Sequence, residues 1–282
     1  SSTTGGSNTA VGRDALRSHT TGNQNVAVGT YAGDAITTTN AATLVGYNAG
    51  SSCTTHNLNA FGANACLNVT TGEQNTGIGD NALQACTTNS YNVAVGTNAL
   101  YSCTSDSNTA VGRYANMLLT TGSGNTSIGQ GAGYHTTTGS SNVSLAGQPS
   151  TATASNEATI GSTNITALRC NQTSISSLSD RRDKTDIVDL PIGLDFINTL
   201  KPRKFKWQTR DGNIKDGSVR AGFIAQELQE VESSTSVDYL DLVFDSNPDR
   251  LEAKENHLLP VLVKAVQELS AKVEELESKL NN

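Results

Sequence analysis

The sequence predicts an all-β repeat shaft, a β-solenoid, β-roll or intertwined β-helix, followed by a small α+β domain that ends in a coiled-coil helix. Three observations predict it. Glycines recur at intervals of 16 or 17 residues from Gly12 to Gly129. Charge is unevenly placed: residues 1–178 hold only four of the 19 basic and six of the 26 acidic residues, and no lysine precedes Lys184. From Leu259 to Leu280, leucine and valine recur at alternating spacings of three and four. The charge shift is a domain boundary, and the resulting division is residues 1–147 as repeats, 148–178 as a neck and 179–282 as the α+β domain.

The repeats come first. Around Gly12, Gly29, Gly46, Gly62, Gly79, Gly96, Gly112 and Gly129 the pattern reads Asn-x-Ala-Val-Gly-x-x-Ala-Leu, followed by a polar run. The residue before the glycine is always apolar, and the residue three after it is always alanine. Asparagine stands four before it at Asn8, Asn25, Asn75, Asn92, Asn108 and Asn125. A period of 16 or 17 is too short for a helix pair and suits one coil of a solenoid. Alternation such as Asn92-Val-Ala-Val95 puts valine on one face and polar groups on the other. One apolar strip per coil cannot bury itself in isolation, so coils stack on their neighbours. Nine rungs at about 4.8 Å give a shaft of roughly 40 Å. The apolar positions are small and aromatics make up 5% of the chain, so a single-chain core would be thin and three chains around one axis would give a better one.

Polar groups in the repeats have plain explanations. Asn68, Asn125, Asn142, Asn164 and Asn171 fall in Asn-x-Ser/Thr sequences, and are read as turn residues or as asparagine ladders between rungs rather than as glycan carriers. His19, His56 and His135 are single, so no metal site is expected. Cys53, Cys86 and Cys103 sit seven residues after a repeat glycine, where other repeats place Ile36, Val69 and Leu119. They are read, with Cys66, as small buried hydrophobes. Cys170 lies beyond the repeats, and no CxxC or Cys/His spacing occurs. Residues 148–178 lose the period, although Ala158–Gly161 retains a strand-like pattern.

After the neck, Ile192–Leu200 has helical spacing that stops before Pro202. Arg203–Trp207 alternates as a strand, Asp211-Gly212 is a turn, Val219–Phe223 reads as a second strand and Ile224–Val231 as a helix. Leu259, Leu262, Val266, Leu269, Val273, Leu276 and Leu280 form an a/d seam flanked by Glu268, Lys272, Glu274, Glu275, Glu277 and Lys279. The seam is read as an inter-chain coiled coil. A net charge of −7 without a basic stripe argues against nucleic-acid binding, and no apolar run of 18 residues suits a membrane span. The chain opens inside a repeat, which predicts the C-terminal part of a longer protein.

One stretch carries candidate chemistry. Ser179-Asp-Arg-Arg-Asp-Lys184 stands at the seam between the two compositions. A hydroxyl near an uncharged lysine can form a nucleophile–base pair, because the amine takes the serine proton during attack on a carbonyl. This stretch, with Leu200-Lys-Pro-Arg-Lys-Phe-Lys-Trp207, Ala221-Gly-Phe-Ile-Ala-Gln-Glu-Leu228 and residues 262–269, resembles the C-terminal intramolecular chaperone domain of phage tailspikes and tail fibres of the endosialidase type. The same domain type occurs in the myelin regulatory factor. The resemblance implies a domain that trimerises, helps the preceding β-structured fibre to fold and then cuts itself off. It implies Ser179 as nucleophile, Lys184 as base and Leu178–Ser179 as the scissile bond. Asp183 departs from the family's usual apolar residue, and a carboxylate beside Lys184 is expected to raise the lysine pKa. The Asn-x-Ala-Val-Gly pattern is similar to the head repeats of trimeric autotransporter adhesins.

Together these imply a homotrimeric tail fibre or tailspike made in a host cytoplasm and carried on the virion. Its expected partner is a host receptor, a glycan or an outer-membrane protein. No cofactor, metal, nucleic-acid partner or membrane insertion is expected. The alternatives are a bacterial trimeric surface adhesin and a polysaccharide-depolymerising tailspike. The first class ends in membrane strands, whereas this chain ends in a charged helix; the second needs paired carboxylates, which the repeats lack.

Overall fold

Ten three-residue strands form one parallel sheet in chain order: β1 (Thr9–Val11), β2 (Val26–Val28), β3 (Thr43–Val45), β4 (Asn59–Phe61), β5 (Thr76–Ile78), β6 (Val93–Val95), β7 (Thr109–Val111), β8 (Thr126–Ile128), β9 (Val143–Leu145) and β10 (Ala158–Ile160). This computed structural model describes residues 4–148, 151–162, 165, 167–169, 177–210 and 215–281. Each repeat is one coil of a β-solenoid, and register is strict: Ala94 of β6 pairs with Ala110 of β7, and Val95 with Val111. Ala158–Ile160 adds a tenth rung on Val143–Leu145, one more than the period alone predicts.

The repeat glycine closes the strand at a corner. Gly96 has φ +129°, a conformation that L side chains rarely adopt, and a Cβ there would stand 2.6 Å from the Gly112 carbonyl carbon of the next rung. Conformation and stacking therefore both demand glycine. The run of corner glycines ends at Ala146, which takes φ +55°, and at the adjacent Gly147 a Cβ would stand 2.6 Å from the Gly161 carbonyl oxygen of the next rung.

The interior reverses the face that the valines suggest. In Asn92-Val-Ala-Val95 it is Asn92 and Ala94 that are fully buried, while Val93 is exposed and Val95 half-buried. The valine strip lies on the outer face of the sheet. The inner face is polar and small, and the solenoid fills itself from the turns with Leu16, Ile36, Leu83, Leu100 and Leu119, and from β3 with Leu44. One chain therefore builds a closed core of its own, against the expectation of a thin one. Cys53, Cys66, Cys86 and Cys103 are all buried within it as free thiols. Burial pushes the thiols up, Cys53 to about 11 and Cys86 to about 12. Cys170 lies outside the described residues.

Buried asparagines stack into ladders. The Asn75 Oδ1 accepts from the Asn92 backbone N–H at 3.0 Å, Asn92 Oδ1 from Asn108 N–H at 2.9 Å, and Asn108 Oδ1 from Asn125 N–H at 2.9 Å. Asn92 Nδ2 donates to the Ser105 carbonyl at 2.9 Å. The side chain thereby bonds backbone groups that a curved coil cannot pair with its own strand. Asn125 and Asn142 are buried in the ladder. Asn68 is exposed on a turn. Asn164 and Asn171 lie outside the described residues.

A second unit spans Thr163–Asn282. It contains α1 (Leu194–Ile197), β11 (Arg203–Lys206), β12 (Val219–Gly222), α2 (Ala225–Thr235), β13 (Val243–Phe244), β14 (Glu252–Ala253) and α3 (Leu259–Leu280). Phe196, Leu228, Val237, Leu240, Leu242, Val243, Leu258 and Val261 form its core. The two strands that alternation predicts here, β11 and β12, pair antiparallel. Asp211-Gly212 lies outside the described residues. The predicted helix at 192–200 is cut to one turn, capped at Gly193. α2 runs past Val231 to Thr235, with the Ser233 and Thr235 hydroxyls bonding the Gln229 and Val231 carbonyls, and it stops at Ser236 with φ +55°. Residues 232–255, undetermined by pattern, supply β13, β14 and a 3₁₀ turn at Asp238–Leu240.

α3 has two apolar faces. Val261 and Ala265 are buried against their own unit, and Pro260 occupies the first turn, where its missing N–H costs nothing. The a/d residues point elsewhere: Leu259, Leu262, Val266, Leu269, Val273, Leu276 and Leu280 are all exposed. Glu268, expected only to flank that seam, instead accepts the Leu194 N–H at 2.8 Å and ties α3 to the start of α1. A Cβ at Gly193 would stand 2.5 Å from that carboxylate, so glycine there makes room for the tie.

Candidate functional site

Ser179 and Lys184 are brought together by a single short turn. Asp180 is its cap: its Oδ1 accepts the Arg182 N–H at 2.8 Å. Residues Arg181–Asp183 then form one turn of 3₁₀ helix, closed by Asp183 N–H to the Asp180 carbonyl and Lys184 N–H to the Arg181 carbonyl, each at 3.2 Å. Lys184 leaves the turn in an extended conformation, φ −131° and ψ 142°. Its side chain doubles back, and Nζ donates to Ser179 Oγ at 2.5 Å. A five-residue spacing thus becomes a direct amine–hydroxyl contact, because one turn of 3₁₀ helix reverses the chain between them.

The turn is clamped by a pair that sequence reasoning passed over. The Arg182 guanidinium reaches back to Asp180, with Nη2 at 2.7 Å from Oδ2 and Nε at 3.1 Å from Oδ1. The Arg182 side-chain bond, and then its N–H, hold the Asp180 carboxyl below the usual carboxylate range. The available signal was an aspartate directly after the serine with an arginine two residues on, which is an N-cap followed by a cation of matching reach. Among the described residues the Asp183 carboxylate makes no ion pair with Lys184.

The whole stretch faces solvent. Ser179, Lys184 and Asp183 are exposed, and Leu178 is 100% exposed. Among the described residues none covers Leu178 or the Lys184 side chain, and both are open to solvent. No group of three or more His, Cys, Asp or Glu among the described residues could hold a metal ion.

Residues 179–237 match the protein family described as chaperone of endosialidase, and the match begins at Ser179. It supports a C-terminal intramolecular chaperone domain of the tail-fibre or tailspike type in this segment. Autoproteolysis is the activity general to that family, self-association is its suggested assembly, and a phage tail component is the setting it points to. No curated protein and no solved structure matches the chain. No described helix is long and apolar enough to cross a membrane.

Proposed function

We propose that this chain is the C-terminal part of a phage tail fibre or tailspike whose residues 179–282 assemble three copies, guide the repeats into register and then cut between Leu178 and Ser179. The observation that carries the reading is the contact of Lys184 Nζ with Ser179 Oγ at the first residue of the matched segment. Neutral Lys184 takes the Oγ proton while Oγ attacks the Leu178 carbonyl. The peptide bond breaks as the Ser179 amine leaves with that proton, and an ester joins Leu178 to Oγ. Water then hydrolyses the ester, returning the hydroxyl to Ser179 and leaving a carboxylate on Leu178. One chain cuts once.

A lysine in open water is charged and cannot act as a base. Covering Lys184 by a neighbouring chain would strip its water and favour the neutral form, which couples cutting to assembly. The exposed second face of α3 supports that assembly, since a helix already docked by Val261 and Ala265 has no other use for a regular leucine seam. Each parallel rung pairs with one 15 to 17 residues away, so a loop must close before the first strand bonds form. Holding three chains together at one end raises their effective concentration. The repeats would then present the host-receptor surface on the virion.

Mass spectrometry of the purified chain tests this. Cutting leaves a piece ending at Leu178 and a piece of 104 residues, 179–282, and Ser179→Ala or Lys184→Ala leaves one 29.4 kDa chain that still assembles. A wild-type chain that assembles yet stays at 29.4 kDa for days at neutral to mildly alkaline pH refutes the processing.

A further inference from the structure

The outer face of the ten-stranded sheet is a surface that the fold leaves unexplained. A sheet with one face in water ordinarily turns polar side chains outward. Here the arrangement is inverted. The third residue of all ten strands is apolar and points away from the core, as with Val11, Phe61, Ile78, Ile128 and Ile160. Ile78 is 40% exposed and Ile160 62%, so the strip is wet in the single chain along its whole length. None of the ten strands contains a charged residue, in a chain that is 16% charged.

We infer that this strip is where copies of the chain pack side by side, each solenoid complete in itself, so that the shaft stays assembled after α3 has been cut away. The inference rests on the assembly reading above and adds the surface that reading lacks in the shaft. Its chemistry selects the occupant. The strip offers one apolar side chain per rung, repeated at about 4.8 Å over nine intervals, or roughly 43 Å. A partner that fills it must present apolar groups at the same repeat over the same length, which a second copy in register does. The absence of charge removes self-repulsion between copies, and it also removes the electrostatic complementarity through which an unrelated partner would be chosen.

Size fits the division of labour. Three residues across and ten strands along give a flat footprint of roughly 430 Å². That is at the scale where exposed apolar patches mark interfaces, yet about half of what each partner buries in a stable standard complex, roughly 800 Å². The strip alone would not gather dilute chains. Brought together in register by a coiled coil at one end, it closes rung by rung, because each added rung buries its apolar pair beside one already in place.

Disulfide trapping on the full chain tests it. Ile78→Cys and Thr76→Cys place thiols on the outer face of β5, and Thr88→Cys places one on the exposed loop between β5 and β6. All three are made in a Cys170→Ser background and oxidised with copper phenanthroline. At least one strip position should form inter-chain disulfides at ten or more times the rate of Thr88→Cys. If sedimentation shows an oligomer but neither strip position exceeds the loop control, the strip is overturned and the assembly reading survives. A monomer in sedimentation overturns both. If the cross-links and the oligomer persist when α3 carries Leu269→Asp and Leu276→Asp, the strip stands as an interface, but its dependence on the α3 seam is overturned.

Discussion

Asn92→Ala should loosen the solenoid far more than the loss of one exposed amide would. In the folded chain the Asn92 side chain serves two buried backbone groups. Its Oδ1 accepts the Asn108 N–H at 2.9 Å and its Nδ2 donates to the Ser105 carbonyl at 2.9 Å. Alanine fills neither role. An orphaned buried donor or acceptor costs about 1–3 kcal/mol. The Asn108 N–H, fully buried with no alternative, sits toward the upper end. The Ser105 carbonyl keeps a weak bond from Cys103 Sγ at 3.4 Å and sits toward the lower end. A loss of about 3 kcal/mol follows, which corresponds to roughly a 150-fold change in an opening equilibrium. Repeat arrays open locally, so a single unfolding midpoint is a poor measure. Amide hydrogen exchange of a peptide covering residues 104–112 reads the local quantity directly. Protection there should fall by about two orders of magnitude, with little change in the second unit. A fall of less than threefold would refute the view that the ladder bonds hold the inner face together.

Replacing Asp180 by Ala removes the cap and clamp of the turn, so cutting should slow while assembly persists; Asp180→Asn, which can still cap, should restore part of the rate. Asp183→Leu, which removes a carboxylate near Lys184, should cut at least as fast as wild type, as followed by gel densitometry over time. Leu269→Asp with Leu276→Asp places charges in the α3 seam, and light scattering of the repeats produced from that variant should show monomer or aggregate; a well-formed trimer would remove the chaperone role. The buried thiols set an alkaline limit. Their folded pKa values lie above the ordinary 9.0, with Cys53 at about 11, so above pH 9 the unfolded chain holds fewer protons than the folded one. Stability present below pH 9 is therefore lost between about pH 9 and 11. Denaturant midpoints should drop over that range, and less so in Cys53→Ala. At pH 8 a disulfide reagent should leave Cys53, Cys66, Cys86 and Cys103 unmodified until denaturant is added.

The period and the corner glycines make a stacked β-coil legible in the sequence itself, whereas the closure of that coil by one chain rests on the turn residues that fill it. A glycine recurring with alanine three residues later fixes a coil length, and equal coils can only stack in parallel and in register. The two antiparallel strands, the second helix and the α3 seam were legible for the same reason: each is a local pattern read against a local geometry. The pairing of Ser179 with Lys184 was legible only through the resemblance to the chaperone family, since two residues five apart do not by themselves predict a contact. Tertiary structure decided which face of the strand is inside. Alternation separates Val93 and Val95 from Asn92 and Ala94, but it does not say which set faces the core. The narrow coil admits only small or ladder-forming side chains at the sheet, and takes its bulk from the turns. The volumes compensate across rungs: Leu44 fills the space above Gly33 and Gly50, where a Cβ would meet it at 2.6 Å, and no periodicity announces such an exchange. In the same way, Asp180 clamping Arg182, and Glu268 reaching 74 residues back to Leu194, depend on where a turn or a helix packs. A sequence fixes what repeats along the chain, whereas contacts between residues of different elements exist only once those elements have docked.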